Sequence, residues 1–221
     1  MIFMQTREIK WIGSDEDFFP DRDGYPIKFI VDHISQGSLK SMDNWFNTDG
    51  PDVSAHYGVG RNGEIHQYVE DKDGAWSNGY VSNMNDGTYP ITNPMLIEFG
   101  DVSPNLLSIS IEHEGMSGEP LTEEQYQSTL WLHKQLIAKY GIEANADHII
   151  GHYRIDPETR SGCPGPAFPW ERLINDINKP EEPEQPKLYR VQVGAYKNKA
   201  SAVKLANELK SKGYKAIIKE G

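Results

Sequence analysis

The sequence predicts an α/β domain with a mixed central β-sheet flanked by helices, followed by a small βαβ unit at the C-terminus. Three observations lead to this prediction: strand-like apolar runs alternate with helical periodicity, a long amphipathic helix lies in mid-chain, and a Pro/Glu segment separates the last residues. The 221-residue chain is 37% apolar and 25% charged, which is ordinary globular composition. Its length is sufficient to bury one sizeable core.

Four segments have the apolar character or the alternation of β-strands. They are residues 29–33, 56–60, 64–69 and 107–112. In the fourth segment the polar residues Ser108, Ser110 and Glu112 alternate with isoleucines, so they share one face of the strand. The sequence therefore predicts that Glu112 lies at a polar strand end, facing away from the apolar layer.

The clearest helix is predicted from Thr122 to Tyr140. Thr122 and Gln125 have the spacing of a capping box, apolar side chains recur at helical spacing, and Gly141 follows as a stop signal. We interpret this helix as scaffold. Residues 71–106 have little periodicity and are expected to form long loops that shape a cleft.

A domain boundary is predicted at residues 179–187, where three prolines and three glutamates favour an extended spacer. It separates a catalytic domain, residues 1–178, from a C-terminal module, residues 188–221. In that module a strand at 189–194, a helix at 201–212 and a strand at 214–218 form one βαβ unit. Because chains below roughly 40 residues seldom hold a core alone, the module is expected to be incomplete.

The net charge of −11 is distributed unevenly along the chain. Residues 187–221 contain nine Lys/Arg and two Asp/Glu, a net +7, so residues 1–186 carry −18. Nucleic-acid binding needs clustered Lys/Arg, and the acidic main body therefore argues against a nucleic-acid partner. The basic tail leaves two interpretations open: solvated helix faces, or contact with an anionic partner.

Membrane insertion and disulfide bonding are both disfavoured. No run approaches the roughly 20 apolar residues of a spanning helix, and the N-terminus lacks the apolar region of a signal peptide. We therefore expect no membrane partner and no signal peptide. The single cysteine, Cys163, excludes an intramolecular disulfide and is either an inert buried thiol or a residue kept for its chemistry.

Three residues are candidate metal ligands, because catalytic zinc uses three N/S ligands and an open position. His33 ends a strand, His152 follows an apolar pair, and Cys163 lies in a Gly/Pro loop. From spacing alone, a satisfied core histidine and a buried thiol are the favoured interpretation. His148 and His152 have i,i+4 spacing, but the Ile-Ile-Gly between them indicates a strand end rather than a helical zinc pair.

Five sequence blocks, in order, resemble the zinc-dependent N-acetylmuramoyl-L-alanine amidases, a family related to phage lysozyme-type amidases, cytosolic anhydromuropeptide amidases and peptidoglycan recognition proteins. The blocks lie within about residues 20–178. They are residues 31–35 (VDHIS), 53–67 (VSAHYGVGRNGEIHQ), 75–76 (AW), 108–115 (SISIEHEG) and 151–168, which opens with GHYRIDP and closes with CPGPAF.

The resemblance implies that His33, His152 and Cys163 bind one zinc ion per chain. It also assigns Glu112 to the catalytic position. Glu114, two residues on and on the same face, is the competing candidate, and a solvated or salt-bridged carboxylate is the alternative interpretation of Glu112.

Other site residues follow the family pattern less closely. Ala55 stands where some relatives carry a tyrosine, and Ser161 where many carry a lysine. Ser161 or Arg160 is therefore expected to support the oxyanion. Trp76 matches an aromatic residue that lines the family's cleft, with core packing as the alternative. We also expect His56, in the second block, to contact substrate.

The function implied by the resemblance is hydrolysis of the amide between N-acetylmuramic acid and the first L-alanine of bacterial peptidoglycan. The zinc would activate a water, and Glu112 would accept its proton and pass it to the leaving amine. A non-catalytic peptidoglycan recognition protein is one alternative, although such proteins typically lack the cysteine. A zinc peptidase that cuts within the stem peptide is another.

The C-terminal residues resemble the first half of a SPOR domain, which binds peptidoglycan glycan. A wall-binding tail without a signal peptide predicts a phage or prophage endolysin, made in the host cytoplasm and released through a membrane hole. A bacterial autolysin exported by an unrecognised route is the alternative. The sequence predicts no oligomeric state.

Overall fold

The computed structural model describes residues 7–14, 17–48, 52–78, 102–180 and 191–219. The chain packs as two compact units, Met1–Lys179 and Pro180–Gly221. Most of the predicted linker, and much of the long-loop region predicted at residues 71–106, lies outside the described residues. No helix in the described ranges is long and apolar enough to cross a membrane.

The first unit is built on a six-stranded sheet in the order β1-β5-β4-β7-β3-β8. All neighbouring strands of this sheet are parallel except β4 and β5. Strands β2 and β6 form a separate antiparallel pair. The strands are β1 Ile9–Trp11, β2 Phe18–Phe19, β3 Phe29–Ile34, β4 Tyr57–Val59, β5 Ile65–Gln67, β6 Gly74–Ala75, β7 Ser108–His113 and β8 Ile149–Gly151.

Helices flank this sheet, and the predicted α/β fold class is confirmed. Four α-helices of this unit lie in the described residues. They are α1 Leu39–Phe46, α2 Pro104–Leu107, α3 Glu123–Tyr140 and α4 Trp170–Asn178. The central strand β7 is buried on both faces, including Ser108 and Ser110, and on its predicted polar face only Glu112 is partly exposed. Burial on both faces is what a mostly parallel sheet requires.

Helix α3 begins and ends where the sequence predicts. The Thr122 hydroxyl accepts the amide of Gln125, and Gly141 ends the helix in the left-handed conformation. The second half of the predicted capping box is not formed. The Gln125 side chain instead donates to the carbonyls of Val59 and Glu114, at 2.9 Å each, and so satisfies two carbonyls beside the ends of β4 and β7.

The second unit contains the helix α5, Lys199–Ser211, which Asn198 caps through the amide of Ala200. The strands predicted on either side of it are not formed in residues 191–219. Val191, Val193 and Ile217 remain exposed there. Two strands with no further strand to pair with are at best marginal in water, which explains why the local alternation does not become a sheet.

A buried ion pair joins α3 to β3. His133 donates from Nδ1 to the Thr129 carbonyl at 2.8 Å and from Nε2 to Asp32 Oδ2 at 3.1 Å. Burial alone lowers the pKa of His133, but the Asp32 carboxylate outweighs it and raises this pKa. On the same strand, the His33 carbonyl accepts from His113 Nδ1 at 2.9 Å. This network fixes the part of β3 that carries the His33 side chain.

We expect Asp32→Asn to lower the free energy of unfolding by about 3–5 kcal/mol, because it leaves His133 buried without its counter-charge. The His133 contribution is complete below about pH 6.5, the ordinary pKa of histidine, and is lost as the pH rises through its raised folded-state pKa. Urea unfolding at pH 6 with a chelator present measures this loss without interference from metal binding.

Glu123→Gln is the matched control, since Glu123 lies on the same helix in an exposed pair with Arg172. An exposed pair of this kind contributes at most about 1 kcal/mol. Equal losses of unfolding free energy in the two variants would show that the buried pair of Asp32 and His133 stabilises the fold no more than an exposed pair does.

Candidate active site

The sheet topology brings three candidate residues to one edge. Strands β7, β3 and β8 are adjacent and parallel, so their carboxyl ends meet. His33 lies near the end of β3 and pairs in register with Glu112 of β7. His152 directly follows β8. Residues far apart in sequence therefore converge because each ends a buried strand.

The fourth candidate, Cys163, comes from a loop that folds back on the end of β8. The Tyr153 amide donates to the Cys163 carbonyl at 3.1 Å, and the Cys163 amide donates to the Arg160 carbonyl at 2.9 Å. A side chain on Gly151 would lie 2.6 Å from the Tyr153 ring and 2.7 Å from Pro164. The close approach of this loop to the strand therefore requires glycine at position 151.

His33, His152 and Cys163 form a cluster whose ligand atoms all lie within 4.8 Å of one another. Cys163 Sγ is 3.8 Å from His33 Nδ1, and the two imidazole rings are 4.5 Å apart between centroids. Both histidines are buried. Two imidazoles and one thiol are the donor set that zinc prefers, and three protein ligands leave one position open.

The protonation states also suit a metal site. Burial lowers the pKa of His33 well below its usual value and that of His152 to about 4, so both rings are neutral at pH 7. Burial raises the pKa of the Cys163 thiol to about 12. The thiol therefore becomes a ligand by releasing its proton as a metal binds. The residues present fit a zinc ion.

Glu112 lies beside this cluster. Its Oε1 is 3.9 Å from His33 Nδ1, and its Oε2 is buried with no hydrogen-bond partner among the described residues. Burial raises the pKa of Glu112 to about 8, partly offset by Arg160. Glu114 makes a different contact, because its carboxylate accepts a hydrogen bond from the Arg61 backbone amide at 2.8 Å. The geometry thus separates the two carboxylates that sequence alone leaves in competition.

The cluster and Glu112 line one cleft with a cavity volume of about 540 Å³. Its lining also includes Met42, Trp45 and Phe46 of helix α1, and Trp45 is 59% exposed. Helix α1 is not among the segments that the sequence patterns predict to line a cleft. The signal was present, since Leu39, Met42 and Phe46 have helical spacing and Trp45 falls off that apolar stripe.

The family model described as N-acetylmuramoyl-L-alanine amidase matches residues 23–166. The chain belongs to this family. The SPOR domain model matches residues 183–221. The predicted family resemblances of both units are therefore confirmed, and the cluster described above lies inside the amidase match.

Known proteins similar to this amidase chain fall in the same family. The 1,6-anhydro-N-acetylmuramyl-L-alanine amidase AmpD of Haemophilus influenzae is 36% identical over 125 residues, covering 57% of this chain and 59% of the relative. The chain thus spans less than two thirds of that relative's length. A crystal structure of an AmpD derivative has a TM-score of 0.61 and 28% identity, covering 78% of this chain and 96% of the other.

A third relative is a solved complex. The amidase AmiD of E. coli, bound to anhydro-N-acetylmuramic acid-L-Ala-D-gamma-Glu-L-Lys, has a TM-score of 0.54 and 27% identity, covering 69% of this chain and 58% of the other. These similarities agree with the α/β fold described above.

Three other predicted site residues of the amidase unit lie on or near the cleft. Trp76 lines it, with its ring 5.6 Å from that of Phe19. Arg160 lines it from the loop that holds Cys163. Ser161 is exposed on the same loop but is not among the described residues that line the cleft. The substrate and oxyanion roles of these residues stay predictions.

The predicted contact of His56 with substrate is contradicted by its burial. His56 has no exposed surface; its Nε2 is 2.6 Å from Arg22 Nη2 and 3.0 Å from the Asp73 carbonyl, and its Nδ1 is 3.0 Å from Ser110 Oγ. Burial, followed by the charge of Arg22, lowers the pKa of His56 to about 3. His56 is therefore a neutral structural residue within the amidase core.

The alternative pairing of His148 with His152 is also excluded. Strand β8 separates the two residues, and His148 Nδ1 lies 2.8 Å from Asn145 Oδ1. The His148 ring stacks on Phe29, 5.7 Å between centroids. The interpretation of the intervening residues as a strand end is confirmed.

Proposed function

We propose that this chain hydrolyses the amide joining N-acetylmuramic acid to L-alanine in bacterial peptidoglycan, with one zinc ion held by His33, His152 and Cys163. The observation that supports this most strongly is the placement of a His/His/Cys cluster and a buried carboxylate, Glu112, in one open cleft. A packing role alone would not require three metal-binding donors beside an unpartnered carboxylate oxygen.

Held by these three residues, a zinc ion would supply Lewis-acid activation of the amide carbonyl and of the attacking water. Glu112 accepts the proton of the attacking water and delivers it to the leaving amine of L-alanine. Its burial favours this role, because a carboxylate with a raised pKa both holds and releases a proton near neutral pH. Arg160 is better placed than Ser161 to support the oxyanion, since it lines the cleft.

The walls of the cleft fit a substrate with both sugar and peptide parts. Trp45 and Trp76 offer aromatic surfaces on which a sugar ring can pack, and Arg160 offers a cation for peptide carboxylates. A cleft rather than a closed cavity also admits a polymer. We therefore propose polymeric peptidoglycan as the substrate.

The test is digestion of purified peptidoglycan by zinc-loaded protein, followed by identification of the new termini. We expect free L-alanine amino groups together with lactyl carboxyl groups. New termini elsewhere in the stem peptide would show that the chain is a zinc peptidase instead. Binding without any product would assign a recognition protein.

We place this activity in an endolysin, acting on the intact wall. The SPOR-type tail supports this setting, whereas the name of the AmpD relatives favours soluble anhydromuropeptides as a second candidate. Rates on intact sacculi and on a soluble anhydromuropeptide distinguish the two. A chain that cleaves only the soluble compound would be a recycling enzyme, and an autolysin would degrade its own producer's wall from outside.

We expect the C-terminal unit to add wall binding rather than catalysis. A fragment of residues 1–179 should keep its rate on a soluble muropeptide but be retained less by insoluble peptidoglycan than the whole chain, because every candidate site residue lies in the first unit. Co-sedimentation of both proteins measures the difference. Equal retention would remove the binding role, and a folded but inactive fragment would show that the boundary is wrong.

A further inference from the structure

Asn78 is a buried residue beside the metal-binding cluster, and two hydrogen bonds that it donates fix its position. Its amide donates to Asn105 Oδ1 and its Nδ2 donates to Ser108 Oγ, each at 2.9 Å. The Ser108 hydroxyl donates its own proton to the Pro104 carbonyl at 2.8 Å. The Ser108 oxygen can therefore only accept a hydrogen bond from Asn78. The Asn78 Nδ2 thus points toward Ser108, and its Oδ1 points away from Ser108.

The side chain of Asn78 acts on His33. His33 Nδ1 faces the cluster, 3.8 Å from Cys163 Sγ and 3.9 Å from Glu112 Oε1, so Nε2 faces away from it. Nε2 of His33 and Oδ1 of Asn78 are both buried, and neither makes a hydrogen bond of ordinary geometry within the described residues. The Asn78 side chain raises the pKa of His33 against the larger opposite effect of burial, so an unpaired acceptor oxygen lies beside an unpaired ring nitrogen.

The main chain of Asn78 acts on the second histidine. His152 Nε2 lies 3.2 Å from the Asn78 carbonyl oxygen, which can only accept, so this nitrogen carries the proton. In a neutral imidazole the other nitrogen, Nδ1, then keeps its lone pair. One residue thus lies beside both imidazoles, its side chain near His33 and its backbone carbonyl in contact with His152.

We propose that Asn78 is the positioning residue of the metal site, holding the Nε2 proton of both histidines so that each presents Nδ1 to the ion. An acceptor on the distal ring nitrogen fixes the tautomer and the orientation of a metal-binding histidine. This inference rests on the proposed zinc site and adds a residue to it that the sequence blocks do not contain.

The two contacts can be separated by substitution. Asn78→Leu removes the side-chain acceptor at similar volume but keeps the backbone carbonyl. In the whole, metal-free chain at pH 7, we expect the ring ¹⁵N shifts of His33 to change and those of His152 to stay. We expect zinc affinity, measured by competition with a chelator, to fall about 10–100-fold. Asn78→Asp, which keeps an acceptor oxygen, should restore most of that affinity.

The outcomes distinguish this inference from the proposed function. A wild-type chain that takes up no zinc overturns both. A wild-type chain that takes up zinc, beside an Asn78→Leu variant of equal affinity and unchanged His33 shifts, overturns the inference alone. Equal changes at both histidines without recovery in Asn78→Asp would reduce Asn78 to a packing residue, which also overturns it.

Discussion

Cys163→Ser is expected to release the metal and abolish hydrolysis. The substitution leaves His33 and His152 in place but replaces a thiolate, which binds zinc strongly, with a hydroxyl that does not. Two neutral imidazoles alone cannot retain the ion against a competing chelator. We expect the loss of affinity to exceed the roughly 10–100-fold that accompanies loss of a partner behind a ligand. Elemental analysis after dialysis, with turnover on a soluble muropeptide, measures both effects.

Ser161→Ala provides the matched control for metal binding, because Ser161 lies on the same loop, two residues before Cys163, and is exposed. It should keep one zinc per chain. Stoichiometric zinc in Cys163→Ser would contradict the proposed ligand set. Equal loss of zinc in both variants would instead show that the loop itself was displaced.

The sequence predicts the strands that carry the site because each is a short apolar run with a polar residue at its end. The predicted strands at residues 29–33 and 107–112 correspond to β3 and β7, and the apolar pair before His152 becomes β8. Parallel pairing then places His33, Glu112 and His152 at one edge. The site is therefore largely encoded in local patterns together with the rule that parallel strands share their carboxyl edge.

Orientation across long separations could not be predicted in the same way. His56 immediately precedes β4 and matches a family block, yet its side chain turns inward to Arg22, 34 residues earlier. Asn78 contacts His152, which follows it by 74 residues. Local periodicity gives the face of a strand on which a residue lies, but not which distant partner covers that face. Neither contact could be predicted from the sequence for that reason.

The C-terminal unit shows a second limit on what the sequence predicts. The alternation at residues 189–194 and 214–218 is genuine, but a strand forms only when a neighbour supplies hydrogen-bond partners. The helix between them needs no such neighbour, and α5 is present where periodicity predicts it. Intrinsic helical pattern and capping are thus sufficient for this element, whereas sheet formation depends on residues elsewhere in space.

Glu112→Gln is expected to lower turnover by about 10²–10⁴-fold, the usual contribution of a positioned acid/base, while zinc content and fold are kept. Glutamine preserves the size of the side chain and removes the group that accepts the proton of water. Because Glu112 Oε2 is buried without a partner among the described residues, the substitution breaks no hydrogen bond to that oxygen. Turnover at saturating substrate, zinc content and thermal unfolding are measured on the same preparations.

Glu114→Gln is the matched control, since it changes the same residue type on the same segment two positions later. Its carboxylate accepts from the Arg61 amide, and a glutamine oxygen can still accept that bond, so turnover should stay close to that of the unaltered chain. A large loss in Glu114→Gln with a small one in Glu112→Gln would move the acid/base to the other carboxylate. Because the two side chains differ in environment and not in chemistry, the pair isolates what burial beside the metal cluster contributes to the reaction.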